Sequence, residues 1–213
     1  MKKSPTTNKA NSELDQRQKI TVFMLVVVLA GFLGWAWEFL FAEIKDGFRH
    51  PFVTGGNLLP WINIYAYGAI LILITCTKLK KRPLLVFAVG ALASGLLELL
   101  AGWLVYTIGN GTRYWDYTES WIGTGNINGF VCPASAVAFG LGAMALVYCL
   151  LPQCISLAKR VPKKTLFIVA AILFSIVIID EVVNLTLKNL GQPTAQDFYT
   201  SKGWVRLVPQ HKE

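Results

Sequence analysis

Five apolar runs separated by polar connections decide what this chain can fold into. They are Ile20–Ala42, Trp61–Thr77, Leu84–Thr107, Asn128–Leu151 and Thr165–Leu187. About 20 apolar residues in a helix cross the hydrocarbon core of a bilayer, and the second run is the shortest of the five. Lipid offers no hydrogen-bond partner to an open backbone, so each run has to be a helix. The expected fold class is all-α: a polytopic membrane helical bundle with five transmembrane helices. At 54% hydrophobic and 15% charged residues, the chain is more apolar and less charged than a soluble domain.

The net charge of +8 invites a nucleic-acid reading, but the distribution of the charges opposes it. Lys and Arg number 5 before the first run, then 2, 4, 1 and 4 in the successive connections. This alternation is a positive-inside pattern. It predicts a cytoplasmic N-terminus, with "KLKKR" (Lys78–Arg82) and "KRVPKK" (Lys159–Lys164) on the same side. The 4 basic residues from Lys188 onward run against the pattern, because five crossings leave that tail outside. The predicted location is the cytoplasmic (inner) membrane, with lipid as the first partner and no nucleic acid.

Residues 1–19 read as a disordered cytoplasmic head, 20–188 as the transmembrane domain and 189–213 as a polar tail. The first run is longer than the apolar segment of a signal peptide, carries Glu38 and has no good cleavage site, so it is expected to stay as the first span. Cys76, Cys132, Cys149 and Cys154 form no CxxC, and the histidines are His50 and His211. No metal or cofactor spacing results, and the cysteines read as small apolar fillers. "GWAWEFL" in the first run and "GLLELLAGW" in the third form a faint internal echo. Each is followed by a glycine–asparagine element, "TGGNLLPW" and "TGNINGF".

Glu38, Glu98, Asp180 and Glu181 lie inside apolar runs. A charge at the bilayer centre costs about 3 kcal/mol on insertion scales, so such residues face protein or water and are candidates for function. At 1.5 Å per residue, Glu38 lies about 10 Å past its run's midpoint, Glu98 about 4 Å and Asp180 about 6 Å. The three helices run in one direction, so the acids share a level and can line one site. Glu98 lies on a stripe of Ala91, Ser94, Gly95, Ala101 and Gly102, which permits close packing. Asp180 has Asn184 one turn on, while Glu181 lies about 100° around the helix and is placed nearer the flank. No Lys or Arg lies mid-span, so the acids either are protonated, hydrogen-bond helix to helix, or hold a cation.

The connection Arg113–Cys132, "RYWDYTESWIGTGNINGFVC", is polar, aromatic and punctuated by glycine. Trp115 and Tyr117 suit a membrane interface. Asn126 and Asn128 are expected to open the fourth span as helix caps, with Gly125 and Gly129 allowing tight bends. Asp116 lies beyond the third span, above the level of Glu98, and with the asparagines is expected to cover the acid pocket as a lid or entrance. Trp115, Asp116, Tyr117, Asn126 and Asn128 therefore join Glu38, Glu98, Asp180 and Asn184 as the candidate substrate- or ion-binding set.

"GWAWE", "NIYAYGA" (Asn63–Ala69), "LLELLAGW", "WDY" and "NINGFVCPASAVAFG" follow one another in that order. Over about Gly31 to Gly140 this set resembles the type IV ABC-transporter permease family, the CmpB-like bacterial membrane proteins. Asp180 fits an Ile-Asp element of the same family. The likeness departs where the family's Pro-Ile-Tyr-Gly has Asn63 and Ala66, and where its arginine after Asn-x-x-Gly is Phe130. It implies a transport subunit working with an ATPase on a separate chain. This chain has no Gly-x4-Gly-Lys-Ser/Thr loop of its own. A small proton- or cation-coupled carrier fits the acids equally, and so thin a bundle invites a homodimer. A sensor or scaffold is the alternative from another class. An intramembrane enzyme on lipid-linked substrates would need chemistry for which no GxSxG elbow, metal cluster or in-span histidine is present.

Overall fold

The computed structural model describes residues 13–46, 57–109, 111, 113–118, 120 and 122–204, without the side chains of 41–46. The first twelve residues of the expected head and the last nine of the tail lie outside this set, as do His50, His211 and the start of "TGGNLLPW". The architecture is all-helical: α1 (Gln16–Asp46), α2 (Asn63–Cys76), α3 (Pro83–Ile108), α4 (Pro133–Ala145), α5 (Leu151–Arg160), α6 (Lys163–Asn189) and α7 (Ala195–Ser201). A π-helical turn, Leu146–Leu150, joins α4 to α5 in one rod, Pro133–Arg160. Pro152 is accommodated just after that turn. A wide turn relaxes the clash a proline ring otherwise makes with the carbonyl four residues back.

Among the described residues, four helices are long and apolar enough to cross a membrane: Gln16–Leu40, Pro83–Ile108, Pro133–Arg160 and Lys163–Asn189. The second run is shorter, an apolar helix over Asn63–Leu79 once a 3-10 turn (Thr77–Leu79) is added. At 1.5 Å per residue it is about 25 Å long, against about 30 Å of hydrocarbon. The fourth span was expected to begin at Asn128. It begins at Pro133 instead, with Cys132 as its N-cap.

Burial follows close packing between small residues and rings. A Cβ on Gly31 would overlap the indole of Trp61, one on Gly34 the ring of Tyr65, and one on Gly90 the Cβ of Ala143. The main core gathers Val22, Val26, Cys76, Val86, Leu166 and their neighbours at the end where α1, α3 and α6 start. A smaller cluster of Val27, Val28, Trp61, Ala66 and Val177 lies further along. The charged end is tied together as well. Gln18 Nε2 donates to the Ala158 carbonyl at 2.7 Å, Lys163 reaches Asp15 at 2.6 Å, and the Tyr148 hydroxyl donates to the Lys80 carbonyl at 2.9 Å.

The tail beyond α6 is not featureless. Thr194 and Asp197 form a capping box that starts α7. Hydrogen bonds from the backbone and then the hydroxyl of Thr194 hold the Asp197 carboxyl below its ordinary value of 3.8. A carboxylate depressed in the fold contributes stability above its unfolded pKa and loses it as pH falls through the folded value. α7 should therefore keep its full hold at neutral pH and fray on acidification below 3.8. Amide exchange of α7 followed from neutral pH downward reads this, and Asp197→Asn should flatten the dependence.

Candidate functional site

The buried face of α3 repeats every fourth residue: Val86, Gly90, Ser94, Glu98, Gly102. Gly90 and Gly102, two turns before and one turn after Glu98, let α4 and Phe130 approach closely. Glu98 is 5% exposed in the middle of this contact. Its Oε1 accepts the Tyr117 hydroxyl at 2.8 Å and its Oε2 accepts the Ser135 hydroxyl at 2.8 Å. Ser135 is fixed by the start of α4. Its amide donates to Cys132 Sγ at 3.3 Å, and the Cys132 amide donates to Ser135 Oγ at 3.1 Å.

The connection before α4 is a knot that delivers Tyr117. The Tyr117 amide donates to the Gly129 carbonyl at 3.0 Å, and Trp115 Nε1 donates to the Phe130 carbonyl at 2.8 Å. Asp116 accepts the amide and hydroxyl of Thr118 at 2.8 and 2.7 Å, and its other oxygen lies 3.3 Å from Arg113. Arg113 lies over the rings of Tyr106 and Phe130 and donates to the Asn128 carbonyl at 2.8 Å. Asn126 braces the turn, donating to the Gly123 carbonyl and accepting the Gly129 amide, both at 2.8 Å. Asn128 has a φ of 50° and does not cap α4. Gly129, at φ 74°, has no room for a Cβ beside Asp116 and Arg113. Burial first, then the charge and hydrogen bond of Glu98, then Glu38 further off, hold the Tyr117 phenol well above the ordinary phenol range. Tyr117 is thus a permanent donor within electrostatic reach of both carboxyls.

Glu38, half-buried on α1, accepts the hydroxyl of Tyr65 from α2. Gly34, one turn before Glu38, is the gap that admits the Tyr65 ring. That ring lies 6.2 Å from Phe139 of α4, so Tyr65 reaches across from α1 to the helix that carries Ser135. Among the described residues, no Lys or Arg forms an ion pair with Glu38 or Glu98.

Asp180 takes its hydrogen bonds in a separate set. Its oxygens accept the amides of Leu58 and Leu59 at 3.0 and 2.8 Å and Asn184 Nδ2 at 2.7 Å. Asn184 Oδ1 accepts the Ala195 amide at 2.9 Å, and the Tyr199 hydroxyl donates to the Leu58 carbonyl at 2.5 Å. This cluster ties the chain entering α2 to α6 and α7. Glu181 also turns to α2, accepting Asn63 Nδ2 at 2.8 Å.

A family model described as "Putative ABC-transporter type IV" matches residues 24–185. The chain belongs to that family. None of the curated proteins and none of the solved structures matches it. Family and apolar helices together make this a membrane protein related to transport. The matched stretch of the type IV ABC-transporter family holds all of Glu38, Tyr65, Glu98, Tyr117, Ser135, Asp180 and Asn184, while α7 lies beyond it.

Tyr65, Ser135 and Ser94 were not in the candidate set. Tyr65 stood in plain sight inside "NIYAYGA". Ser135 had one signal, a polar residue two positions after the proline that opens a helix.

Proposed function

We propose that the chain is the membrane-embedded, permease-like subunit of an ABC-type transport system in the bacterial cytoplasmic membrane, working through a buried acidic site. Residues 20–188 are its membrane domain, with five crossings, α2 as the short one, and the N-terminus in the cytoplasm. Glu38 and Glu98 form the centre of the site, with Tyr117 and the Trp115–Asp116 turn as its cover. Asn126 and Asn128 brace that cover, and Asp180 with Asn184 holds the neighbouring wall. The observation that carries this reading is the meeting of Glu98 with hydroxyls from two other elements, beside a second carboxyl on α1 that is bonded in the same way.

ATP hydrolysis falls to a separate ATPase. It would dock at the basic end formed by Lys78–Arg82 and Lys159–Lys164, with lipid headgroups and a second copy of the chain as further neighbours. A cation- or proton-coupled carrier is the second reading. It is favoured by Glu38 and Glu98, whose partners are hydroxyls and which pair with no Lys or Arg among the described residues. The test is uptake into vesicles. Glu98→Gln should abolish transport while the protein still inserts and runs as the wild type, and unchanged transport removes the site. Co-purification of an ATPase separates the first reading from the second.

A further inference from the structure

Hydroxyls buried in a membrane helix normally donate to the carbonyl four residues back. Buried Thr21 does so here at 2.8 Å, as do the half-buried Thr75 and Thr77 and the exposed Thr107 and Thr186 at 2.6–2.8 Å. Ser94 does not. It is 4% exposed, and its Oγ finds no hydrogen-bond partner among the described residues. An unsatisfied buried hydroxyl is costly, so its position needs a cause.

Ser94 and Glu98 share the buried stripe of α3, one turn apart. Side chains on a helix lean toward its N-terminus, so Glu98 leans back over the turn that carries Ser94. On the facing side stands Ser135, already 2.8 Å from Glu98 Oε2. The donors gathered here are one carboxylate with serine and tyrosine hydroxyls, all oxygen. Cys132 Sγ is engaged by the Ser135 amide. Hard oxygen donors select hard cations. Among the described residues no three His, Cys, Asp or Glu side chains gather as a metal-binding group, and the serine oxygens here are neutral, which suits a singly charged ion. Glu98 sits close to mid-span with no Lys or Arg paired to it among the described residues, and a charged carboxylate there is unfavourable unless a positive charge offsets it.

We propose that Ser94, Glu98 and Ser135 hold a bare alkali-metal cation between α3 and α4. The cation would accept a lone pair from Ser94 Oγ, neutralise Glu98, and leave Tyr117 and Ser135 as the hydroxyls that close over it. This rests on the reading of Glu98 as part of a polar binding site and names the ligand of that site. A proton on Glu98 would neutralise the charge equally, but only a metal cation makes the fold's stability depend on Na+ or K+, and that difference makes the idea testable.

The experiment follows thermal unfolding of the purified full-length protein in detergent, with NaCl or KCl titrated against choline chloride at constant ionic strength. The wild type should show a midpoint that rises and saturates with Na+ or K+. Ser94→Ala should weaken the apparent cation affinity about tenfold, as expected for loss of one oxygen bonded to a charge. Its midpoint in choline alone should equal or slightly exceed that of the wild type, because an unsatisfied hydroxyl has gone. Glu98→Gln should abolish the cation response. The proposal is overturned if the wild type is indifferent to Na+ and K+, or if Ser94→Ala responds as the wild type does. The first result would mean that water or a proton occupies the turn, and the second that any cation binds without Ser94. Both leave the uptake test of Glu98→Gln free to succeed or fail on its own.

Discussion

Trp61→Ala should lower the stability of the purified protein by about 3–5 kcal/mol, a typical loss for an aromatic ring removed from a packed interior. Trp61 is 2% exposed and lies on α1 where Gly31 leaves room for it. Its indole N–H donates to the Val28 carbonyl at 3.0 Å, and the next amide, Ile62, donates to the Gly31 carbonyl at 3.2 Å. The ring also joins Val27, Val28, Ala66 and Val177 in the smaller core cluster. Its loss leaves a hole with no small residue able to close it, at the point where non-helical chain becomes α2. Unfolding by heat or by denaturing detergent measures the effect. A midpoint equal to the wild type would mean that this cluster does not hold α2 in place.

The second large effect is expected at Asp180. Its carboxylate is the acceptor for two backbone amides and one side-chain amide. Asp180→Ala strands those donors, at about 1–3 kcal/mol for each left buried and unpaired. The sum is offset where Leu58, which is exposed, reaches solvent. A net loss of about 3 kcal/mol is expected. Release of residues 57–62 should appear as faster proteolytic cutting there. Asp180→Asn keeps one acceptor oxygen and should fall between the wild type and alanine. Equal cutting in all three proteins would show that Asp180 does not hold the segment.

The long helices were legible because a run of Leu, Val and Ile in lipid admits one backbone solution. α1, α3 and α6 lie where hydropathy puts them. The start of α4 was misread by five residues. Asn126 and Asn128 have the chemistry of caps, but their side-chain and backbone polar groups serve the turn that braces Tyr117, and the capping position falls to Cys132. The continuation of the fourth helix through Pro152 was hidden for another reason, since a π turn is set by packing and leaves no mark in composition. α7 carried a signal that was passed over, Thr194 followed three residues later by Asp197, in a stretch too polar to suggest a helix.

The acids were visible as charges in apolar runs, and their depth was readable from residue count. The partner that each acid meets was not. Glu38 and Glu98 turn toward hydroxyls on neighbouring helices, whereas Asp180 turns to backbone amides near α2. Depth constrains one coordinate and packing supplies the other. Tyr65 and Ser135 stayed out of the candidate set because hydroxyls are common in membrane helices and only their bonds to buried carboxyls single them out.

The Tyr199 hydroxyl grips the Leu58 carbonyl across 141 positions of sequence. Shortening the chain at Gly191 would therefore be felt at the far mouth of α2, although nothing cut away lies in the stretch that the family shares. A purification handle grafted there would slacken a buckle, and a defect seen in such a preparation would belong to the handle before it belonged to the transport site.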